Sequence, residues 1–294
     1  MKIIDRKGRE YDSTDSLQTS LKKIYASPFG RALMKIVTSP VISRIGGLFL
    51  STGLSAAAVP YFAEKHGIDL FDYQTASNGT YEYKSFNDFF TRKIKKGRRL
   101  IESDPDALVS PADGKVTAYP IADSDMFVIK NSVYTVRSIL RDSKLAKRFA
   151  GGTAVIIRLT PDDYHRYIYP CDGIKSHDRR INGILSTVRP IMNEITPVYK
   201  ENTREYCLIR SERFGDVIQA EIGATMVGKI TNHEKNTAKV RKGEEKGMFE
   251  FGGSTIMLLL EKDKAAVCED ILAATADGCE MKLKQGDIIA RSVK

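Results

Sequence analysis

The chain has 294 residues, of which 42% are hydrophobic and 28% are charged, and this composition is ordinary for a globular protein. It excludes a fibrous, collagenous or fully disordered chain. A chain of this length buries enough surface to form a core without a disulfide or a metal, and its four cysteines follow no metal-binding spacing. We therefore expect reduced thiols and no metal site.

The net charge is basic, because 46 Lys and Arg stand against 37 Asp and Glu, which gives a formal charge of +9. Such an excess favours an anionic partner, for example a nucleic acid, a phospholipid surface or a phosphorylated substrate, and the charge alone does not choose among them. Residues 1–10 lack the pattern of a secretory signal, so we expect the mature chain to begin near Met1.

The N-terminal part, residues 29–70, mixes apolar side chains with basic ones at roughly helical intervals. This pattern is typical of short amphipathic helices, which could lie on a membrane surface or pack on the protein's own core. The longest uncharged stretch, residues 45–63, contains three glycines and Pro60, so we do not expect it to span a bilayer.

A further helix is predicted over residues 85–97. Ser85 is the expected N-cap, Asp88 stands three residues later, and Gly97 ends the pattern. The basic residues at 92–99 suit a helix C-terminus and would also attract anionic lipid.

From residue 108 onward the pattern changes to one of strands, rich in Val, Ile, Thr and Tyr and separated by turn residues. The predicted strands are 108–121, 126–136, 153–160, 207–209, 216–230, 255–261 and 287–293, with one helix at 136–149. We predict an α+β fold, with a β-rich, largely antiparallel catalytic core at 85–294 preceded by N-terminal amphipathic helices in a membrane-associating segment at 1–84.

Among the four histidines, His165 is the first candidate for acid–base chemistry. It lies in Asp163-Tyr164-His165-Arg166, directly after an apolar strand, and strand ends are where a rigid scaffold holds reacting groups. Asp113, in Ser110-Pro111-Ala112-Asp113-Gly114, is typical of a turn when considered alone. A purely structural role for both residues stays open at this point.

Ser254 is the candidate nucleophile, since it opens an apolar strand directly after Gly252 and Gly253. Adjacent glycines permit unusual backbone conformations and close approach to the Gly253 carbonyl, so the Ser254 hydroxyl could attack the peptide bond before it. The structural alternative is a Gly-Gly hairpin loop that leads into a strand.

Five ordered segments resemble the phosphatidylserine decarboxylases of prokaryotic type. They are F-N-D-F-F-T-R at 86–92, S-P-A-D-G at 110–114, D-Y-H-R at 163–166 with Pro170 and Gly173 beyond it, G-A-T-M-V-G at 223–228, and F-G-G-S-T at 251–255. The resemblance implies a proenzyme that cuts itself between Gly253 and Ser254 into a β chain, 1–253, and an α chain, 254–294.

The resemblance also implies the chemistry. Ser254 would become a pyruvoyl group, a covalent cofactor that forms a Schiff base with phosphatidylserine and converts it to phosphatidylethanolamine and carbon dioxide. His165 is expected to act as catalytic acid and base, with Asp113 assisting self-cleavage. No external cofactor is expected.

Two positions depart from the family pattern. Many members carry a second histidine, assigned to self-cleavage, where this chain has Ile168. Isoleucine cannot transfer protons, so either His165 serves both steps or another histidine, such as His233, substitutes. Gly252 replaces a frequent leucine, which we expect to loosen the loop at the cleavage site.

A phospholipid substrate implies contact with a bilayer, so we predict peripheral attachment to the cytoplasmic side of the cell membrane. The expected partners are phosphatidylserine, an anionic membrane surface, the two chains of one precursor and a second copy in a homodimer, and nucleic acid is not expected. The alternatives are a pyruvoyl decarboxylase of a soluble amino acid, a basic anion- or nucleic-acid-binding protein, and a serine hydrolase built on Ser254. The sequence lacks the motifs of the last two classes.

Overall fold

The computed structural model describes residues 2–11, 40–74, 82–130, 132–184, 198–223, 229–252 and 254–293. Gly253 and the predicted segment 224–228 therefore lie outside the described residues, as does the start of the N-terminal pattern at 29–39. The α-helices are α1 (Pro40–Leu50), α2 (Val59–Lys65), α3 (Phe86–Phe90), α4 (Val136–Leu140), α5 (Ser143–Ala146), α6 (Val198–Glu201) and α7 (Glu269–Ala276). Short 3₁₀ helices lie at Gly53–Ala58, Leu70–Asp72 and Lys147–Phe149.

The strands of the described residues form one large sheet, two three-stranded sheets and a hairpin. In chain order they are β1 (Ile3–Ile4), β2 (Glu10–Tyr11), β3 (Ala107–Val109), β4 (Gly114–Pro120), β5 (Met126–Ile129), β6 (Ser132–Thr135), β7 (Thr153–Leu159), β8 (Arg166–Ile168), β9 (Gly173–Lys175), β10 (Arg179–Ile181), β11 (Arg204–Ser211), β12 (Gly215–Gly223), β13 (Ile230–Asn232), β14 (Ala238–Val240), β15 (Glu245–Phe249), β16 (Ser254–Leu260), β17 (Ala265–Val267), β18 (Glu280–Leu283) and β19 (Ile288–Ser292).

The large sheet has the order β14-β9-β11-β12-β16-β7-β4-β18-β1-β2, with β10 paired to β11. Its pairs are antiparallel except for β1 with β18. The expected β-rich, largely antiparallel fold is therefore confirmed. The boundary at residue 84 stays a prediction. β1 and β2, which belong to the expected N-terminal segment, form one edge of this sheet.

The central strands of the large sheet form the core. Every residue of β16 is buried, and so are nearly all residues of β7 and β12 on either side of it. The small sheet β13-β15-β8 covers one face, where the Gln219 amide of β12 donates to the Ile168 carbonyl of β8. A strand covered on both faces is apolar along its length instead of alternating, which explains the continuous apolar run of β16.

The N-terminal helices pack on α3 around a second hydrophobic cluster. Val59 and Ala63 of α2 bury against Phe86, Phe89 and Phe90 of α3. Other apolar side chains of this region are exposed to solvent, including Ile45, Leu48, Phe49, Leu54, Tyr61 and Phe71. None of the helices in the described residues is long and apolar enough to cross a membrane.

Two predicted helices are shorter than their sequence patterns. α3 begins after Ser85, whose side chain accepts the Asp88 N–H as expected, but it ends at Phe90 and not near Gly97. Beyond it, Ile94 forms a β-bridge with Tyr73. The pattern at 136–149 gives three short helices, because Arg141 has a left-handed backbone with a φ of +49° that closes α4.

Candidate active site

One end of the large sheet holds the candidate nucleophile. Ser254 is the first residue of β16, and its partners on the neighbouring strands are Leu159, the last residue of β7, and Gly223, the last residue of β12. Directly opposed residues of antiparallel strands place their side chains on the same face of the sheet. The Ser254 hydroxyl therefore shares a face with Glu221 of β12, which contacts the small sheet β13-β15-β8 through Lys246 of β15.

The Ser254 hydroxyl is fully buried, and its Oγ has no hydrogen-bond partner in the part of the chain that the structure describes. Burying a hydroxyl without a partner costs free energy, and such groups are rare unless they serve a reaction or meet a ligand. Gly252 nearby has a φ of +141°, a conformation that side chains with a Cβ rarely adopt. The glycine at this position therefore fits the local backbone.

His165 lies in the loop between β7 and β8. The carboxylate of Asp163 fixes this loop by accepting from Thr160 N at 2.7 Å and from Lys115 Nζ at 2.7 Å. The backbone carbonyl oxygen of Asp163 is hydrogen-bonded to His165 Nδ1 at a distance of 2.9 Å. A carbonyl oxygen only accepts, so Nδ1 carries the hydrogen and Nε2 keeps a free lone pair.

The His165 ring is fully buried, and Nε2 has no hydrogen-bond partner among the described residues. The pKa of His165 is lowered to about 3, mainly by burial and also by the positive charge of Arg92, against the opposing effect of Asp163. The imidazole is therefore neutral near pH 7, with Nε2 able to accept a proton.

Aromatic packing joins His165 to the loop before Ser254. The Phe90 ring of α3 lies 3.9 Å from the His165 ring, centre to centre, and 4.9 Å from the Phe251 ring. Phe251 N donates to the Asn87 side chain at 3.1 Å, and Phe249 N donates to the His165 carbonyl at 3.0 Å. The segment 249–251 is thus held against α3 and His165, three residues ahead of Ser254.

Asp113 lies at the same end of the sheet, and none of the described contacts joins it to His165. Its carboxylate forms an ion pair with Arg99, with Arg99 Nη2 at 2.6 Å from Oδ2, and accepts the Gln285 N–H at 2.8 Å. The Gln285 amide in turn donates to the carbonyl of Arg166, the residue after His165, at 2.8 Å. Among the described contacts, Gln285 therefore links Asp113 to the histidine loop.

The alternative base, His233, lies elsewhere. Its half-exposed ring contacts Glu245 at 2.8 Å, and Glu245 also accepts from Arg166. Among the described contacts, none joins His233 to Ser254 or to His165. Ile168 is buried in β8, where its N–H donates to the Pro111 carbonyl.

Sequence reasoning missed a fully buried ion pair beside the candidate site. Lys246 of β15 donates to Glu221 of β12 at 2.7 Å, and Lys246 also contacts Asn232 at 3.1 Å. Burial raises the pKa of Glu221 to about 7. The sequence feature that could have revealed this pair is the single acidic residue inside the apolar run of β12, two residues before Gly223.

The chain is similar to known proteins over most of its length. The family model described as "Phosphatidylserine decarboxylase" matches residues 86–290, which contain Asp113, His165 and Ser254. Phosphatidylserine decarboxylase proenzyme 2 of Clostridium acetobutylicum is 42% identical over 273 residues, which cover 92% of this chain and 91% of that protein.

Two further relatives match over nearly their full length. The phosphatidylserine decarboxylase proenzyme of Fusobacterium nucleatum is 38% identical over 98% of this chain and 96% of that protein. A proenzyme of the same name from Clostridium botulinum is 36% identical over 100% of this chain and 99% of that protein. The chain therefore belongs to the phosphatidylserine decarboxylase family.

Proposed function

We propose that this chain is a self-cleaving proenzyme that decarboxylates phosphatidylserine to phosphatidylethanolamine, with Ser254 as the source of a pyruvoyl cofactor. The observation that carries the proposal concerns two buried groups that have no hydrogen-bond partner among the described residues, the Ser254 hydroxyl and Nε2 of the neutral His165 ring, at the same end of the sheet. A hydroxyl and a base with a free lone pair are the two groups that nucleophilic self-cleavage requires.

In the proposed self-cleavage, the Ser254 hydroxyl attacks the Gly253 carbonyl carbon while His165 Nε2 accepts the hydroxyl proton. The C–N bond breaks, the Ser254 nitrogen takes up a proton, and an ester replaces the amide. Loss of the Ser254 α-proton expels the Gly253 carboxylate and leaves dehydroalanine. Addition of water then releases ammonia and leaves the ketone.

The pyruvoyl group supplies a sink for the electron pair that remains when carbon dioxide leaves. His165 is proposed to return a proton to the substrate, since a buried imidazole with a pKa of about 3 gives up an accepted proton readily. Asp113 is proposed to position this site through Gln285, whose amide holds the Arg166 carbonyl next to His165.

Intact-mass analysis of the purified protein tests the proposal. We expect two chains that meet at Gly253 and Ser254, the smaller one lighter by one ammonia than the peptide that begins with serine, and activity on phosphatidylserine. Ser254→Ala should leave one uncut, inactive chain. Thr255→Val is the matched control, because Thr255 is equally buried but its side chain lies on the other face of β16.

An active but uncut wild-type chain would contradict the cleavage mechanism. Cleavage without activity on phosphatidylserine, but with activity on a soluble amino acid, would favour the alternative decarboxylase.

We also propose that the N-terminal region attaches the enzyme to an anionic membrane surface. Leu48 and Leu54 expose 71% and 82% of their surface, and Phe71 exposes 65%. The exposed lysines Lys93 and Lys96 follow α3, against which the N-terminal helices pack. Apolar side chains that enter a bilayer and lysines near anionic headgroups both favour binding. The cytoplasmic side and a homodimer stay predictions.

Co-sedimentation with vesicles tests the attachment. We expect binding to vesicles that contain phosphatidylglycerol, weaker binding at high salt, and little binding to phosphatidylcholine alone. The double variant Lys93→Glu/Lys96→Glu should lower binding by more than about tenfold, since each lysine near the surface contributes about 1 kcal/mol. Lys262→Glu/Lys264→Glu, at the opposite end of β16 from Ser254, is the matched control, and an equal loss in both variants would contradict the assigned surface.

A further inference from the structure

Arg92 is a buried cation for which the described part of the chain provides no anionic partner. Only 3% of its surface is exposed, and its guanidinium carbon lies 4.4 Å from the ring centre of Tyr73 and 4.6 Å from that of Phe89. Its hydrogen bonds are long, 3.3 Å to the Phe89 carbonyl and 3.4 Å to the Tyr73 hydroxyl. Nε has no partner, and within the described residues no carboxylate pairs with this side chain.

Other buried arginines of the described chain are compensated. Arg158 forms an ion pair with Glu280, and the partly buried Arg99 forms one with Asp113. Arg204 has no carboxylate, but it donates to four backbone carbonyls at 2.7–2.9 Å. Since arginine stays protonated inside proteins, a buried guanidinium with two weak hydrogen bonds is one that an added anion would stabilise.

Arg92 also lies next to the candidate active site. It follows α3, whose Phe90 ring contacts His165, and its charge acts on the His165 imidazole. An anion held by Arg92 would therefore lie near the reacting groups and would belong to the substrate.

We propose that Arg92 binds the phosphodiester of the phospholipid headgroup, an inference that rests on the proposed function. Phosphatidylserine carries two anionic groups, a carboxylate and a phosphodiester. An arginine on the carboxylate would stabilise the ground state, because that charge is lost as carbon dioxide leaves, whereas the phosphodiester keeps its charge throughout. The guanidinium fork also matches two phosphate oxygens, so charge-assisted bonds can replace the two long ones.

Kinetics with short-chain phosphatidylserine, below its micellar concentration, test this assignment without membrane binding. Arg92→Met should still self-cleave, and it should raise KM by about 10- to 100-fold with a much smaller change in kcat. Arg92→Lys, which keeps the charge but not the fork, should show an intermediate KM and provides the test if Arg92→Met fails to fold. Arg213→Met, an exposed arginine paired with Asp106, is the matched control and should change KM by less than about twofold.

Inhibitors separate the two anionic groups. Short-chain phosphatidylethanolamine has a phosphodiester but no carboxylate, and its inhibition constant should rise in Arg92→Met by the same factor as KM. An O-alkyl-L-serine has a carboxylate but no phosphate, and its inhibition constant should stay unchanged. A rise for the serine derivative alone, or for both inhibitors equally, would overturn the assignment.

Inhibition by inorganic phosphate tests whether Arg92 binds free phosphate and not the phospholipid headgroup. If it inhibits the wild type as strongly as phosphatidylethanolamine and loses this effect in Arg92→Met, the site takes free phosphate and the headgroup assignment is wrong. A wild-type chain without activity on phosphatidylserine would instead contradict the proposed function, whatever Arg92 does. An active wild type with an unchanged KM in Arg92→Met would contradict this inference alone.

Discussion

The large sheet and the N-terminal region are both rich in apolar residues, but they use them differently. In β16 every side chain is buried between two layers, whereas in the N-terminal region Leu48, Leu54 and Phe71 are exposed to solvent. Burial of a leucine contributes about 1.5–3 kcal/mol to folding, and an exposed leucine contributes little. The apolar residues of the sheet therefore stabilise the fold, whereas exposed ones of the N-terminal region, such as Leu48 and Leu54, contribute little to it.

The largest effect is expected from breaking the buried ion pair between the two sheets. Lys246→Met leaves Glu221 buried without its partner, and such changes cost about 3–5 kcal/mol. The free energy of unfolding in urea, measured on the uncut Ser254→Ala chain, checks this value.

The double variant Glu221→Leu/Lys246→Met is the control for this prediction, and it should recover most of the loss because no buried charge remains. A loss below about 1 kcal/mol in the single variant would show that the pair is not isolated from water.

A purely apolar change in the same sheet should cost slightly less. Leu258 is fully buried in the middle of β16, so Leu258→Ala removes buried surface and leaves a cavity, at a cost of about 3 kcal/mol. Chemical unfolding of the Ser254→Ala chain measures it. Vesicle binding should stay unchanged, and a parallel loss of vesicle binding would contradict the separation between the two regions.

Two central strands of the core could be predicted from the sequence almost to the residue, whereas the predicted strands 108–121 and 126–136 each correspond to two strands. The runs at 153–160 and 255–261 became β7 (Thr153–Leu159) and β16 (Ser254–Leu260), because continuous apolar runs between turn residues are typical of doubly covered strands. Three-residue strands such as β8 and β14 were missed, since so short a segment has no detectable period.

The site was less accessible to sequence reasoning, because its contacts are not local. Ser254 and His165 were found through motifs that follow or precede apolar strands. The partners of Asp113 could not be predicted, since Gln285 lies 172 residues away in sequence. Tertiary contacts also set the end of α3. The Arg92 side chain packs on the rings of Tyr73 and Phe89, and such contacts override the local helix propensity.

The pH dependence of stability should report the buried state of His165. Its pKa falls from 6.5 in the unfolded chain to about 3 in the folded one, so between these values only the unfolded chain binds the proton. The contribution of His165 to stability should therefore fall as the pH falls, by about 1.4 kcal/mol per pH unit, and it should have no slope above pH 7. The measurement is the free energy of unfolding of the Ser254→Ala chain at pH 7 and pH 5, with and without the additional change His165→Gln. The loss of stability between pH 7 and pH 5 should be about 2 kcal/mol larger in the chain that keeps His165.

Tyr164→Phe is the control for this experiment. The Tyr164 hydroxyl, in the same loop, accepts from Ile94 N, and burial raises its pKa to about 12, so it does not titrate between pH 5 and pH 7. An equal slope with and without His165 would mean that water reaches the ring in the folded chain.

The smallest effect on stability is expected in the N-terminal region, where it contrasts with Leu258→Ala. Leu54 exposes 82% of its surface, so Leu54→Ser should change the free energy of unfolding by less than about 0.5 kcal/mol. If Leu54 enters the bilayer, the same change should weaken vesicle binding severalfold, because the apolar side chain is buried only in the bound state. Unfolding in urea and co-sedimentation, measured on one preparation, give both values. A stability loss as large as that of Leu258→Ala would place Leu54 in the core and remove its role at the membrane, since one side chain cannot be buried in the free protein and also gain burial on binding.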